Sequence, residues 1–372
     1  MGNTSDVVII GGGIVGCATA YLLAKAGLKP TLIEKGSVGN CASGFSAGLL
    51  NPLHGSGIPG PLEELARRSF QLHTGLAPEV KDLTGIDHQF RPVPSIYLSF
   101  DDDQSNRARD VLDLAERAEG FESRWLDGPE VLSMEPRIAP GVAGGAYVEG
   151  TVQVDSYQYT QALLQAARDR GAVMRQGTVR GLRASNGRVS AVALEGEDVS
   201  CGSVVLSMGP WSGEAADWLG RPVPVWPLKG QILRLKLPGS QPPCLFTGPG
   251  GEYVSPKPDG TTWIGTTEER VGFDDRPTTE AREAIMKDVM ELMPAVHQGD
   301  LVLQTACLRP ASDDGMPVLG SVPGWEGVYM ATGAERKGIL LSAAMARVTA
   351  DLVCQGRTDL DIDRFSLERF GG

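Results

Sequence analysis

The stretch Val7-Val8-Ile9-Ile10-Gly11-Gly12-Gly13-Ile14-Val15-Gly16, followed by Thr31-Leu32-Ile33-Glu34, decides the fold of this chain. Its first four residues form a short, continuous apolar run, as expected of a strand buried on both faces of a parallel sheet. The glycine turn opens into a helical stretch with Cys17, Ala20, Tyr21 and Ala24 on related faces. Gly27 suits the C-terminal cap of that helix, and Pro30 lies just beyond it. Thr31–Glu34 then reads as a second strand, so the whole stretch is one β-α-β unit.

The spacing Gly11-x-Gly13-x-x-Gly16 fits a dinucleotide-binding turn. Gly11 permits the tight turn, Gly13 lets a pyrophosphate approach the backbone, and Gly16 allows helix and strand to pack closely. Ile14 and Val15 open the helix, whose unpaired N–H groups and partial positive charge suit phosphates. Glu34 follows Gly11 by 23 residues, at the end of the second strand, where its carboxylate can accept from both ribose hydroxyls. A 2′-phosphate would be repelled there, which disfavours NADP. The motif does not separate FAD from NAD. It occurs once, whereas a protein binding both nucleotides through such units would repeat it.

Composition narrows the class. The 372 residues include 48 Gly, nearly twice average usage. Collagen is excluded because no G-X-Y period appears, and global disorder by the 41% hydrophobic content. With 34 Lys and Arg against 46 Asp and Glu, the net charge is −12, which disfavours nucleic acid or an anionic membrane surface as partner. The six cysteines are scattered with no C-x-x-C, so neither a zinc site nor a disulfide framework is expected, and the usage suits a reducing compartment. Met1–Asp6 carries no basic residue and Gly interrupts the apolar run after it, so neither a signal peptide nor a spanning helix is expected. These readings point to a cytoplasmic protein without a metal site.

Further along, residues 61–84 and Ser156–Arg170 read as helices, and Val204–Gly209 as another buried strand entering a glycine turn. Phe90–Phe100 is β-rich, with Pro92 and Pro94 expected to confine it to an edge or bulge. Asp101–Asp103 reads as a solvated turn opening a helix. Residues 216–305 change to short, Pro-punctuated strands such as Gln231–Leu237 and Thr262–Gly265, suggesting an antiparallel sheet domain inserted into the nucleotide fold. The expected architecture is therefore α/β: a Rossmann-like dinucleotide-binding domain on a parallel sheet, with an inserted substrate domain on an antiparallel sheet. Its bounds are 1–85, 150–215 and 306–372 for the first domain, and 86–149 and 216–305 for the second.

Several separated motifs then resemble the D-amino acid oxidase family of flavoproteins, particularly its glycine oxidase and sarcosine oxidase-like branch. Gly39-Asn40-Cys41-Ala42-Ser43-Gly44, continuing to Ala47-Gly48-Leu49-Leu50, looks like the second flavin-contacting loop. Leu206-Ser207-Met208-Gly209-Pro210-Trp211-Ser212 looks like the A-A-G-x-W-S flavin segment, and Pro227-Leu228-Lys229-Gly230-Gln231 like the entry to the substrate domain. The C-terminal signature is Leu308-Arg309-Pro310, Asp314-Gly315-x-Pro317 and Gly333-x-x-Arg336-x-Gly338-Ile339.

The resemblance implies FAD buried in extended form between the two domains, with Lys35 beside Glu34 and Lys337 beside Arg336 among its neighbours. It makes Arg309 the group that grips a substrate carboxylate, since a planar guanidinium offers two parallel N–H groups to two oxygens. The alternative for Arg309 is an ion pair with Asp313 or Asp314. Tyr253 matches the tyrosine that hydrogen-bonds the same carboxylate, or is a buried core residue. Arg336 should lie by the isoalloxazine with the backbone of Gly338-Ile339, and Val179 should meet the adenine. Cys307 stands where covalent sarcosine oxidases link their flavin, or is an unreactive buried thiol. Ala334 departs from the usual His, Glu335 and Lys337 add charge, and Asn51-Pro52-Leu53-His54 replaces a small-residue loop. His54 either faces the flavin or belongs to a solvated loop.

The implied reaction oxidises a C–N bond of a small amine or amino acid of glycine, sarcosine or D-amino acid type. An α-hydride passes to flavin N5 and an imine is released and hydrolysed, with O2 or another acceptor taking the electrons. The chemistry belongs largely to the cofactor, so no acid–base dyad is required. Two alternatives stay within the fold. A 2-hydroxy-acid dehydrogenase would need a base, with His54 the only nearby candidate. A tRNA-modifying flavoprotein is disfavoured by the acidic charge. A homo-oligomer is a further possibility.

Overall fold

A computed structural model describes residues 4–371 of the chain; the Met1-Gly2 start lies outside them. The decisive stretch folds as read. Strand Thr4–Ile10 leads through the glycine turn into helix Ile14–Lys25 and then strand Pro30–Glu34, which pairs parallel to the first. Ile14 and the run Gly16–Ala24 are buried, because the helix is covered by the sheet and by helices Ser156–Asp169 and Gly338–Gln355. A helix enclosed in this way needs no polar face, which explains its nearly uninterrupted apolar sequence.

Strand Thr4–Ile10 sits at the centre of an eight-stranded sheet. Parallel neighbours are Pro30–Glu34 and Asp198–Leu206, and further parallel pairs join Pro30–Glu34 to Val173–Gln176 and Asp198–Leu206 to Val328–Thr332. The hairpin Val179–Ser185 and Arg188–Leu194 extends one side antiparallel. The helices predicted over 61–84 and 156–170 are Glu63–Thr84 and Ser156–Asp169.

The second eight-stranded sheet has the order Asp300–Ser312, Val225–Lys236, Thr262–Gly265, Tyr253–Pro256, Leu245–Thr247, Ser95–Ser99, Gly144–Glu149, Glu122–Asp127. It is antiparallel except where Leu245–Thr247 meets Ser95–Ser99. The edge expectation for 90–100 is half right. Arg91–Pro92 is an edge strand of a small three-stranded sheet, but Ser95–Ser99 is an interior, wholly buried strand. Both prolines precede it, so no ladder N–H is lost, and the Pro94 carbonyl accepts from Leu245 N–H at 2.9 Å. Asp101 caps helix Asp102–Glu116 through Gln104 N–H, as the solvated-turn reading expected.

Among the described residues one helical segment, Glu335–Gln355, is long and apolar enough to cross a membrane by composition. From Ile339 to Leu352 it is almost wholly buried, packed on Ile14–Lys25 and Glu63–Thr84, so here it is a core helix.

Candidate functional site

The turn after the first strand is built by close backbone approach. A Cβ on Gly11, whose φ is +111°, would lie 2.2 Å from the Ser207 carbonyl oxygen; one on Gly16 would lie 2.0 Å from the Gly11 carbonyl oxygen. Both positions therefore exclude any side chain. Gly13 precedes the helix and has no side chain to cap it, and Ser43 Oγ instead accepts from Ile14 N–H at 2.9 Å. Glu34 closes the turn from the other side, accepting from Gly12 N–H at 2.7 Å and Gly36 N–H at 2.8 Å, one bond to each carboxylate oxygen.

A cavity of about 480 Å³ spans this turn and the face of the second sheet. Gly11, Gly13, Ile14, Val15, Glu34, Lys35, Ser43, Ala47, Gly48, Leu49 and Val179 line it from the nucleotide-type half. Gly209, Trp211, Arg336, Lys337, Gly338 and Ile339 line it too, as do Tyr253, Cys307 and Arg309. Gly16, Gly44 and Gly333 do not. Gly44 is small for another reason: a Cβ there would meet the Gly39 carbonyl oxygen at 2.1 Å, so it serves loop packing. Gly48 likewise abuts the Val154 carbonyl, although it also borders the cavity. Lys35 lies over the Trp211 ring at 3.8 Å, and Trp211 stacks on Phe273.

Arg309 is the most informative group. It is 9% exposed, and among the described residues no carboxylate comes within ion-pair distance of it. The two acids that sequence offered as partners are engaged elsewhere: Asp314 with Arg369 at 2.7 Å, and Asp313 with the Trp226 indole N–H at 3.0 Å. Instead the guanidinium donates to the Thr267 carbonyl at 3.1 Å and Thr266 Oγ1 at 2.8 Å. Two such bonds leave donors over from the five that a guanidinium carries.

The neighbouring strand explains how this arginine is held. A Cβ on Gly230 would fall 2.1 Å from Arg309 Nη2, so the guanidinium lies directly on the glycine backbone. Lys229 and Gln231, flanking Gly230, project to the other face of the strand. Lys229 is 1% exposed, with its ammonium 3.8 Å from Glu269 and 3.9 Å from Asp274. Gln231 donates to Glu269 Oε1 at 2.9 Å and accepts from Thr278 N–H at 2.9 Å. Both therefore fasten the 266–278 segment that positions Arg309. Neither Gly230 nor Thr266 was singled out from sequence as a site residue; the clue was the unbroken Lys-Gly-Gln alternation, read only as a domain entry.

The remaining polar groups divide clearly. Tyr253 is buried, its hydroxyl lacks a hydrogen-bond partner among the described residues, and burial holds its pKa well above normal while Arg309 opposes the rise. Cys307 borders the cavity opposite Gly230, and burial raises its thiol pKa against the lowering effect of Arg309. Arg336, unlike Arg309, has a carboxylate partner, Glu268, at 2.9 Å in a half-exposed pair. Burial brings the Lys337 ammonium down to about 8, helped by Arg336, and it donates to the His54 carbonyl at 2.7 Å. His54 borders the cavity with its ring edge-on to Tyr97 at 5.0 Å, and burial together with Lys337 lowers its pKa. Burial and Glu268 raise the pKa of Glu335. Tyr97 carries no site signal in the sequence, but on the cavity wall it is hydrogen-bonded to Asn51, from the loop that departs from the family pattern. Among the described residues no group of three His, Cys, Asp or Glu side chains is arranged to hold a metal ion.

The geometry yields a direct test. Gly230→Ala should displace the Arg309 guanidinium and weaken binding of a simple carboxylate such as acetate at least about tenfold, or about 1.4 kcal/mol. Titration followed by the spectrum of the loaded protein measures this, and unchanged affinity would detach Gly230 from the site.

Comparison with known proteins gives a consistent answer. Residues 6–352 match the family model DAO, FAD dependent oxidoreductase. A glycine oxidase of Pseudomonas aeruginosa is 32% identical over 93% of this chain and 94% of its own length. A glycine oxidase of Geobacillus kaustophilus is also 32% identical, over 100% of this chain and 99% of its own. The crystal structure of glycine oxidase from Geobacillus kaustophilus superposes with a TM-score of 0.92 at 30% identity, covering 99% of this chain and 100% of that one. With the dinucleotide turn, the two sheets and the shared cavity in place, the chain belongs to the DAO family of FAD dependent oxidoreductases.

Proposed function

We propose that this FAD-dependent oxidoreductase acts on a small α-amino acid or N-substituted glycine, bound by its carboxylate at Arg309 and Tyr253. The observation that carries the reading is Arg309, a buried cation with no carboxylate partner among the described residues, at the edge of the family's cofactor cavity. Holding such a charge unpaired is costly, and an incoming carboxylate offsets that cost. The glycine oxidase relatives support the substrate class.

The donor set fits FAD: a glycine turn at a helix N-terminus for the pyrophosphate, and Glu34, each oxygen of which holds one amide bond and keeps a lone pair for a ribose hydroxyl. FAD bound there supplies a two-electron acceptor for the substrate's α C–H bond. The chain's task is then orientation. Arg309 fixes the carboxylate through paired N–H groups, and the Tyr253 hydroxyl, kept protonated, donates to it as well. The amine must be neutral to give up its α-hydride, so a substrate ammonium has to lose a proton first. No cavity residue is required as a strong base for that step. Lys337 adds positive charge at the Gly338–Ile339 end, which favours electron acceptance.

We assign residues 1–85, 150–215 and 306–372 to FAD and 86–149 and 216–305 to substrate. The strand Asp300–Ser312, which carries both Cys307 and Arg309, lies along its whole length in the second sheet, paired with Val225–Lys236, so the boundary after 305 falls inside one strand. We further infer O2 or another small acceptor as the partner for the electrons, and no nucleic acid partner.

Arg309→Ala should leave bound flavin intact while raising the apparent KM for a carboxylate substrate at least about tenfold, roughly 1.4 kcal/mol of lost binding. Unchanged kinetics would remove the anchor assignment. Covalent attachment at Cys307 would require a thiolate, and burial holds that thiol protonated. Acid precipitation of the holoenzyme is therefore expected to release all of its flavin; flavin retained on the precipitated chain would reverse this.

A further inference from the structure

An apolar cluster of Val93, Leu245 and Tyr253, with Ala47, Leu49 and Trp263 packed on it, forms part of the cofactor cavity wall. A second cavity, of about 390 Å³, is bordered by Val93 on another side of this cluster. Its walls are unusual in composition. Pro92, Pro94, Pro242, Pro243, Pro256 and Pro258 line it, giving a rigid surface poor in N–H donors. The charged side chains among its lining residues are Arg91 and Lys257, and no carboxylate is present there. That is notable in a chain of net charge −12.

The cations are short of partners. Lys257 is 8% exposed, yet it has no carboxylate within 4 Å among the described residues. The buried Arg91 Nε and Arg234 Nε lack hydrogen-bond acceptors among the described residues. Lys257 and Arg234 both sit over the Trp263 ring, at 4.7 and 4.0 Å from its centroid, which eases their burial without neutralising them. The acids that face Lys257 are Asp155 and Asp259, and both are engaged. Asp155 caps helix Ser156–Asp169 through Gln158 N–H, and Asp259 accepts from the Thr261 N–H and hydroxyl. Arg91 makes only long bonds, at 3.3 Å to Gln153 and 3.5 Å to the Pro256 carbonyl.

We propose that this proline-walled cavity is a binding site for a small dianion, either a dicarboxylate or an inorganic oxyanion, held between Arg91 and Lys257. Lys257 donates one of its three N–H bonds to the Ala47 carbonyl, leaving two for a ligand. Because Ala47 also borders the cofactor cavity, an occupant of the second cavity bears on the flavin-side loop. Burial and Arg91 bring the Lys257 ammonium down to about 7, with Arg234 adding to the fall and Asp155 and Asp259 opposing it. Below that pH the site carries its full charge. Above it, Lys257 gives up its proton and affinity falls.

Calorimetric titration of the holoenzyme with succinate and with sulfate, against sodium chloride at matched ionic strength, tests this. One saturable site, beyond any carboxylate bound at Arg309 and therefore still present in Arg309→Ala, is expected for at least one dianion and none for chloride, with weaker binding above pH about 7. Arg91→Gln and Lys257→Met should each weaken it at least tenfold, Lys257→Arg should retain it, and Arg309→Ala should leave it unchanged. Tighter succinate binding marks a dicarboxylate site, and tighter sulfate binding an inorganic one. If Lys257→Met does not fold, Arg91→Gln alone remains decisive. No saturable binding of either dianion, equal affinity in Arg91→Gln, or loss of binding in Arg309→Ala would overturn the assignment.

Discussion

The site depends on the meeting of three backbone segments at Gly11, Gly16 and Ser207. Ser207 N–H donates to the Ile10 carbonyl, and its hydroxyl reaches the Ile10 and Gly11 carbonyls at 3.1 and 3.3 Å. The same hydroxyl would be 2.8 Å from a Cβ on Gly16. No room remains for a methyl group at either glycine. This contact presses the start of helix Ile14–Lys25 onto the ends of two parallel strands and aims its N–H groups into the cavity. Close packing of this kind cannot relax around an added carbon without moving a strand.

A second constraint acts across the cavity, where the sequence Lys229-Gly230-Gln231 alternates about its strand. One face fastens the 266–278 segment through a buried ammonium and a fully engaged amide; the other lays bare backbone under the Arg309 guanidinium. The result is a positioned cation whose acceptors among the described residues are neutral oxygens. Contrast with Arg336 is instructive: a half-exposed guanidinium paired to Glu268 is already neutralised and screened. Similar chemistry in the sequence thus yields two different electrostatic environments, and the difference lies in tertiary neighbours.

Much of the fold was legible because local and long-range signals agree. Val7–Ile10, the glycine spacing and Glu34 each suffice for one element, and together they require a β-α-β unit. The site was legible where backbone shape dictates residue type, as at Gly11 and Gly16. It was less so where distant segments converge. Ser95–Ser99 looked like an edge because prolines precede it, and only its pairing with Leu245–Thr247 and Gly144–Glu149 shows it to be interior. Gly44 looked like a cofactor contact, and the structure gives it a packing role against Gly39. The possible Asp313 or Asp314 partner for Arg309 was suggested by nearness in sequence; a β-strand and turn carry those acids to Trp226 and Arg369 instead. His54, left open between loop and cavity, is both: an exposed loop residue that borders the cavity.

Anaerobic reduction of the bound flavin decides whether the cavity holds an amino acid for oxidation. Mixing the holoenzyme separately with glycine, sarcosine, D-alanine, D-proline and 2-hydroxyglutarate, and following loss of the oxidised flavin absorbance, separates amine from hydroxy-acid chemistry. Bleaching is expected with one or more of the carboxylate-bearing amines and none with 2-hydroxyglutarate. Bleaching by the hydroxy acid alone would contradict amino-acid oxidation.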